Sequence, residues 1–378
     1  MTDTSTAPGP PADPAGLDDR ALALEEAHAI EQEAIERIPG AEAHSPLELG
    51  WTAWKAILKR VWVMIGFHNL SLLGAGMALY GFLAFIPMIA SIVLTYGLVG
   101  DPATVARQMN SIVQLVPSEA ATLIREQMEA VVTSNSGTTG LALALALLFA
   151  VWSSTRATNG MIQALNVIYE ERETRNIVKL TGLSIGLTLA IVALALVGIA
   201  SASIFGLLQN FGEEWLGPVA APVVKLLTWA AAFAIGSTVF AVLYRYGPDR
   251  QNAQWRWLFP GAVLGTVLWA LASLLFSLYV TYISNYNATY GTLSAIAVFV
   301  MWMFLSSQAV LLGAVFDAEL ERQTARDTTI GPPRPIGQRG AAMADNTLLD
   351  HASTELKAKV AARRARRVAR GVTPEGSG

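Results

Sequence analysis

In the stretch VWSSTRATNGMIQALNVIYEERETR, residues 151–175, polar or aromatic side chains recur every three or four positions: Trp152, Arg156, Asn159, Gln163, Asn166 and Glu170. At 100° per residue they fall within about 40° of one direction on a helix. Ala157, Met161, Leu165 and Ile168 take the opposite face. A guanidinium flanked by carboxamides suits the gripping of a phosphate or carboxylate, because its planar fork of donors matches two oxygens at once. The preceding LALALALLFA is apolar enough to sit in lipid, so the stripe runs along the end of a membrane helix. Either Arg156 reaches for the inner headgroups while the amides bond to neighbouring helices, or the stripe lines a hydrated cavity open to the cytoplasm. One snorkelling arginine does not require three amides in register, which favours the cavity. Gln308 and, at the inner end of a later segment, Asp317 and Glu319 are candidate partners.

The elements that must position this stripe follow from composition. Of 378 residues 53% are hydrophobic and 15% charged, against about a quarter charged in a soluble domain. Mean hydropathy is +0.43. An all-α, multi-pass membrane protein is expected. A hydrocarbon core of roughly 30 Å takes about 20 helical residues, and six apolar segments qualify: 70–98, 140–163, 180–208, 219–243, 258–283 and 291–316. Six spans place both termini on one side. Lys55, Lys59, Arg60, Arg172, Arg175, Lys179, Arg245, Arg250, Arg256, Arg322 and Arg326 fall on that side, whereas 212–218 and 284–290 carry no Lys or Arg. Cationic loops stay inside, so both termini are cytoplasmic in a cell-membrane protein.

Around these spans the sequence predicts an acidic, mostly disordered tail over 1–49, a membrane domain over 50–322 and a cytoplasmic tail over 323–378. WTAWKAILKRVWVMI, residues 51–65, alternates Trp and aliphatic residues with Lys and Arg at helical spacing, as in a helix lying along the inner leaflet. The loop 101–136 carries two apolar stripes separated at Pro117, predicting an outer pair of amphipathic helices. Pro87 should kink the first span. Small residues let membrane helices approach closely, which marks Gly74, Gly182, Gly186, Gly261, Gly265 and Gly313 as packing positions. Residues 357–370, KAKVAARRARRVAR, hold seven basic residues and no acid. They fit a contact with anionic lipid or a solvated tail; a nucleic-acid partner fits the rest of the chain poorly.

AGMALYGFLAFIPMIASIVLTYGLVGDP, the 151–175 stretch, LYRYGPDRQNAQWRWLFPGAVLGTVLW from 243 and TYGTLSAIAVFVMWMFLSSQAVLLGAVFDAELER from 289 together resemble the YihY/BrkB family of bacterial inner-membrane proteins. That family is known as virulence factor BrkB and was once mislabelled ribonuclease BN. The resemblance covers residues 50–322. It implies an envelope protein linked in relatives to serum resistance and, more loosely, to handling of lipid or lipopolysaccharide. Family members often have a glutamate after LLGA; this chain has Val315 there, with Asp317 two positions on.

Enzyme readings fare badly on the residues themselves. The four histidines, His28, His44, His68 and His351, lie outside the apolar segments, which as bounded above contain no Asp or Glu. No nucleophile with its base, carboxylate pair or metal site assembles there, and no cofactor is expected. The same absence argues against ion-coupled pumping, and no glycine-rich phosphate loop points to ATP. The remaining functions are facilitated movement of a lipid or other amphiphile along a polar groove, a scaffold for envelope-protein partners, or export of a small molecule.

Overall fold

The computed structural model describes residues 29–30, 32–99, 140–216, 220–282 and 293–369, and its regular structure is helical. The main helices are α1 (Trp51–Phe67), α2 (Leu70–Val99), α3 (Gly140–Ile168), α4 (Ile177–Leu216), α5 (Ala220–Tyr246), α6 (Trp255–Tyr282) and α7 (Ser294–Gln323). The short α8 (Ala342–Asp345) and then α9 (Leu348–Ala369) follow. Each helix from α2 to α7 packs on its chain neighbour, and α7 returns to α2, closing a ring.

Among the described residues four helices are long and apolar enough to cross a membrane: Ile177–Leu194 of α4, Pro222–Tyr246 of α5, α6 and α7. The pair α1 and Leu70–Phe85 of α2 adds a fifth if counted together, bent by 65°. The bend sits at Asn69, whose φ of 51° is left-handed. Asparagine tolerates that region better than most residues because its short side chain bonds locally. In α1, Ala53 and Ile57 are buried, while Trp51, Trp62 and Phe67 are exposed and Lys55 lies over the Trp51 ring at 5.3 Å. Pro87 lies within α2, which continues through it. The outer pair predicted over 101–136 lies outside the described residues.

Glycines decide the closest crossing. A Cβ on Gly261 would overlap the Asp317 carboxylate and the Gly313 carbonyl, and one on Gly313 would overlap the Tyr244 hydroxyl. Helices α6 and α7 meet here backbone to backbone, with α5 closing the contact through Tyr244, whose hydroxyl donates to the Val310 carbonyl at 2.7 Å. Gly265 packs under Phe240, and Gly74 makes room for Gln308. Gly182 and Gly186 differ: a Cβ on either meets nothing within 4 Å. They pack against no other described helix.

The end of the bundle that receives the chain after α7 is more structured than its polar sequence announces. Residues 324–347, read above as the start of a tail, pack beneath the bundle. Gln254 donates its N–H to Thr328, Ile330 donates to Asn252, and Ala325 donates to Ala41. Arg339 fixes this segment by donating to the carbonyls of Ala325, Arg326, Arg334 and Ala344. Residues 39–49 join the same layer, with Leu49, Ala53 and Ile57 packed on Trp257, Phe316 and Leu320.

Candidate functional site

Helix α3 carries the stripe, and its packing decides where the stripe faces. Leu165, Ile168 and Tyr169 are fully buried and join a core with Leu243, Tyr244, Leu258 and Leu311, and Ile162 is almost fully buried as well. Trp152, Arg156 and Gln163 point away from that core and are exposed. Beside them α2 presents Tyr80 and Leu83, themselves 46% and 56% exposed. Between the two helices lies a cavity of about 430 Å³ lined by Tyr80, Leu83, Trp152, Ser153, Arg156, Asn159, Gly160 and Gln163.

The walls are fixed by small and hydrogen-bonding residues. Gly160 lets the Tyr80 ring lie directly on α3, since a Cβ there would sit 3.0 Å from that ring. Ser153 donates to the Leu83 carbonyl at 3.3 Å, and Asn159 accepts from Ser184 of α4 at 2.5 Å. Thr158 and Thr188 bond at 2.8 Å on the buried side of the same contact. The Arg156 guanidinium stacks 5.4 Å from the Trp152 ring. Among the described residues it has no ion-pair partner, and neither the Asn159 NH2 group nor the Gln163 amide forms a hydrogen bond. The three converge as unengaged donors, with one amide acceptor, around a space walled by aromatic and aliphatic carbon.

The other candidates stand elsewhere. Asn166 is 4% exposed and ties loops together: its Nδ2 donates to Glu173 at 2.9 Å and its Oδ1 accepts the N–H of Asp249 at 2.8 Å. Its carbonyl accepts from Glu171 at 2.8 Å, across Glu170 at φ 54°, which ends α3 in a left-handed C-cap. Gln308 donates to the Leu70 carbonyl at 3.2 Å and fills the space over Gly74. Asp317 is fully buried; one carboxylate oxygen accepts the N–H of Gly261 at 2.7 Å and the other has no partner among the described residues. None of these three lines the cavity.

A second cluster, where α3 ends against the loop between α5 and α6, was not visible in the sequence. Arg250, between α5 and α6, forms a bidentate pair with Glu321 of α7 at 2.9 and 2.6 Å, both side chains fully buried. Its guanidinium lies 4.5 Å from the Tyr169 ring. Burial alone would loosen its proton; the Glu321 carboxylate reverses this and raises its pKa. Arg60 of α1 pairs with Glu319 at 2.6 Å, and Arg322 reaches Glu319 at 3.3 Å and Glu170 at 3.7 Å. Nearby, hydrogen bonds from Arg175 hold the Glu173 carboxyl below its ordinary range. Burial pushes Asp249 up, but bonds from the Thr174 hydroxyl and N–H outweigh it and leave its pKa lowered. Asp317, Glu319 and Glu321 lie inside α7, which continues past residue 316 to Gln323. Their spacing after LLGA was readable, but their partners are far away in sequence.

Arg156 is thirteen residues from Tyr169, so it stands about 20 Å along α3 from the ionic end, at 1.5 Å per residue. An arginine stem does not span that distance.

Comparison with known proteins places the chain among relatives of like character. Residues 61–336 match the family described as Virulence factor BrkB. A putative ribonuclease-like protein, YfkH, of Bacillus subtilis is 30% identical over 220 residues, 56% of this chain and 76% of that protein. The UPF0761 membrane protein IL2447 of Idiomarina loihiensis is 29% identical over 208 residues, 55% and 69% of the two chains. A UPF0761 membrane protein of Kangiella koreensis is 24% identical over 279 residues, 73% and 66%. No solved structure matches. With well over half of its length matched and its apolar helices in place, the chain belongs to the virulence factor BrkB family and is a multi-pass membrane protein.

Proposed function

We propose that this protein moves an amphiphile across the membrane along the groove between α2 and α3, with a phosphate- or carboxylate-bearing headgroup held at Arg156. In this reading α2 to α7 are six spans, α1 lies on the inner leaflet and both ends of the chain are cytoplasmic. The contacts among the 168–177 and 246–255 loops, the chain after 323 and α1 support placing them at one end.

One observation carries the proposal: among the described residues Arg156, Asn159 and Gln163 hold unengaged donors around a cavity that faces away from the core, about 20 Å from the ionic end. A cation at that depth on a helix costs a few kcal/mol unless it meets a counter-charge or water. An anionic headgroup supplies that counter-charge. A volume of about 430 Å³ suits a headgroup, while acyl chains remain in surrounding hydrocarbon. Trp152, Tyr80 and Leu83 supply an apolar wall for the chain attachment. Among the described residues the lining of this groove holds no His, Asp, Glu or Lys.

The test is reconstitution of the full chain into liposomes containing a headgroup-labelled fluorescent phospholipid, followed by quenching of outer-leaflet label with dithionite. The proposal requires loss of fluorescence beyond the half reached in protein-free vesicles. A plateau at that half, with protein inserted, would remove lipid as the cargo.

A further inference from the structure

Arg156, Asn159 and Gln163 follow one another along the cavity face of α3, with Arg156 and Gln163 two turns apart, about 10 Å at 1.5 Å per residue. A phosphate held at Arg156 therefore has carboxamides next to it along the helix. Asn159 gives its carbonyl to the Ser184 hydroxyl at 2.5 Å, which leaves its NH2 group for a ligand. Gln163, unengaged among the described residues, keeps both ends of its amide and can donate to and accept from a single hydroxyl.

The aromatic rings of the groove are already engaged. Trp152 stacks with Phe149 at a centroid distance of 5.6 Å and carries the Arg156 guanidinium at 5.4 Å. The Tyr80 ring lies on Gly160, where a Cβ would sit 3.0 Å from it. A quaternary ammonium is recognised by free aromatic faces, and here it would meet rings in use beside the positive charge of Arg156. A primary ammonium brings three donors and no acceptor. It would repel Arg156 and leave the N–H groups of Asn159 and Gln163 unanswered.

We infer that the groove, read as the headgroup site above, is selective: it takes an anionic phosphodiester lipid whose headgroup ends in neutral hydroxyls and passes over lipids that carry ammonium. The phosphate oxygens accept from the fork of Arg156 and from the Asn159 NH2 group. A headgroup hydroxyl exchanges its bonds with Gln163. Each unengaged donor then has an acceptor, and the single positive charge of the lining meets a single negative one.

The test reads binding apart from movement. In the full chain, which has no native cysteine, Leu83→Cys places a single thiol on the cavity wall. Its alkylation by an uncharged maleimide in detergent is followed with short-chain phosphatidylglycerol, phosphatidylcholine or phosphatidylmethanol added. Phosphatidylglycerol should protect at about a tenth of the concentration that phosphatidylcholine needs, or less, the scale of one charge-assisted bond. Phosphatidylmethanol keeps the phosphodiester charge without the hydroxyls and should fall between them. Arg156→Gln should remove the advantage over phosphatidylcholine, and Gln163→Leu only the advantage over phosphatidylmethanol. Equal protection by phosphatidylglycerol and phosphatidylcholine, protection by none of the three, or an advantage that survives Arg156→Gln would overturn the selectivity. Protection by free glycerophosphate at the concentration of the lipid would overturn the assignment to a lipid. Protection specific to phosphatidylglycerol in a chain that scrambles no lipid would leave the selectivity standing and remove transport instead.

Discussion

Arg250 and Glu321, 71 residues apart in sequence, meet in a bidentate pair from which solvent is fully excluded. The pair joins the loop between α5 and α6 to α7, and the ring of Tyr169, just past the end of α3, covers it. Removing one partner strands the other as an uncompensated buried charge, which costs about 3–5 kcal/mol. Arg250→Ala should therefore lower the melting temperature in detergent sharply. Arg250→Met with Glu321→Leu should recover most of the loss, because replacing both charges leaves neither stranded. A double variant as unstable as the single would mean that the pair acts through more than its own charges.

The crossing of α6 and α7 offers a matched glycine comparison. Gly313→Ala adds a methyl within 2.7 Å of the Gly261 carbonyl and against the Tyr244 hydroxyl. Such overpacking costs about 1–3 kcal/mol. Gly182→Ala meets nothing within 4 Å and should change stability by less than about 0.5 kcal/mol. Thermal unfolding of the two variants side by side checks the difference. Equal effects would mean that Gly182 is covered by another chain.

The loop clasp around Asn166 should depend on acid. Glu173 and Asp249 both have folded-state pKa values below their ordinary ones. For a depressed carboxylate the stabilisation is present above the unfolded value of about 4 and is lost as pH falls through the folded value. Stability should thus be flat from neutral pH down to about 5 and decline below about 4. Asn166→Ala with Glu173→Gln should flatten part of that decline, as read by fluorescence melts across pH.

The stripe makes a labelling prediction against a clean background, since the chain has no cysteine. Asn159→Cys and Gln163→Cys should react with a water-soluble thiol reagent. Leu165→Cys, fully buried, and Met161→Cys, on the core side, should not. Equal reaction on both faces would contradict a hydrated groove.

The parts legible in the sequence were those that depend on local periodicity. The repeat of Arg156, Asn159 and Gln163 at helical spacing marks one face, and the structure places all three on one cavity. Asn166 continues the repeat but comes at the end of α3, where a left-handed Glu170 turns the chain and the side chain is taken up by Glu173 and Asp249. Periodicity does not show where a helix ends. Asp317 and Gln308 were matched to the stripe by polarity alone, yet each is taken up by a backbone group, Gly261 N–H and Leu70 carbonyl. Those partners lie 56 and 238 residues away, beyond any local pattern. The partners of the α7 charges were missed for a related reason. A hydropathy boundary stops at the first carboxylate, whereas the helix continues because Arg60, Arg250 and Arg322 neutralise the turns that follow.

Lipid movement by the Arg156→Lys variant tests the central claim most directly. Lysine keeps the charge and the reach but loses the planar fork, which in a charge-assisted bidentate contact is worth about 1.5–3 kcal/mol. If Arg156 holds an anionic headgroup, the initial scrambling rate of reconstituted Arg156→Lys should fall about tenfold or more relative to the unmodified chain, with insertion and melting temperature unchanged. A rate equal to that of the unmodified chain would contradict the account and leave Arg156 as a cation that only rests on Trp152.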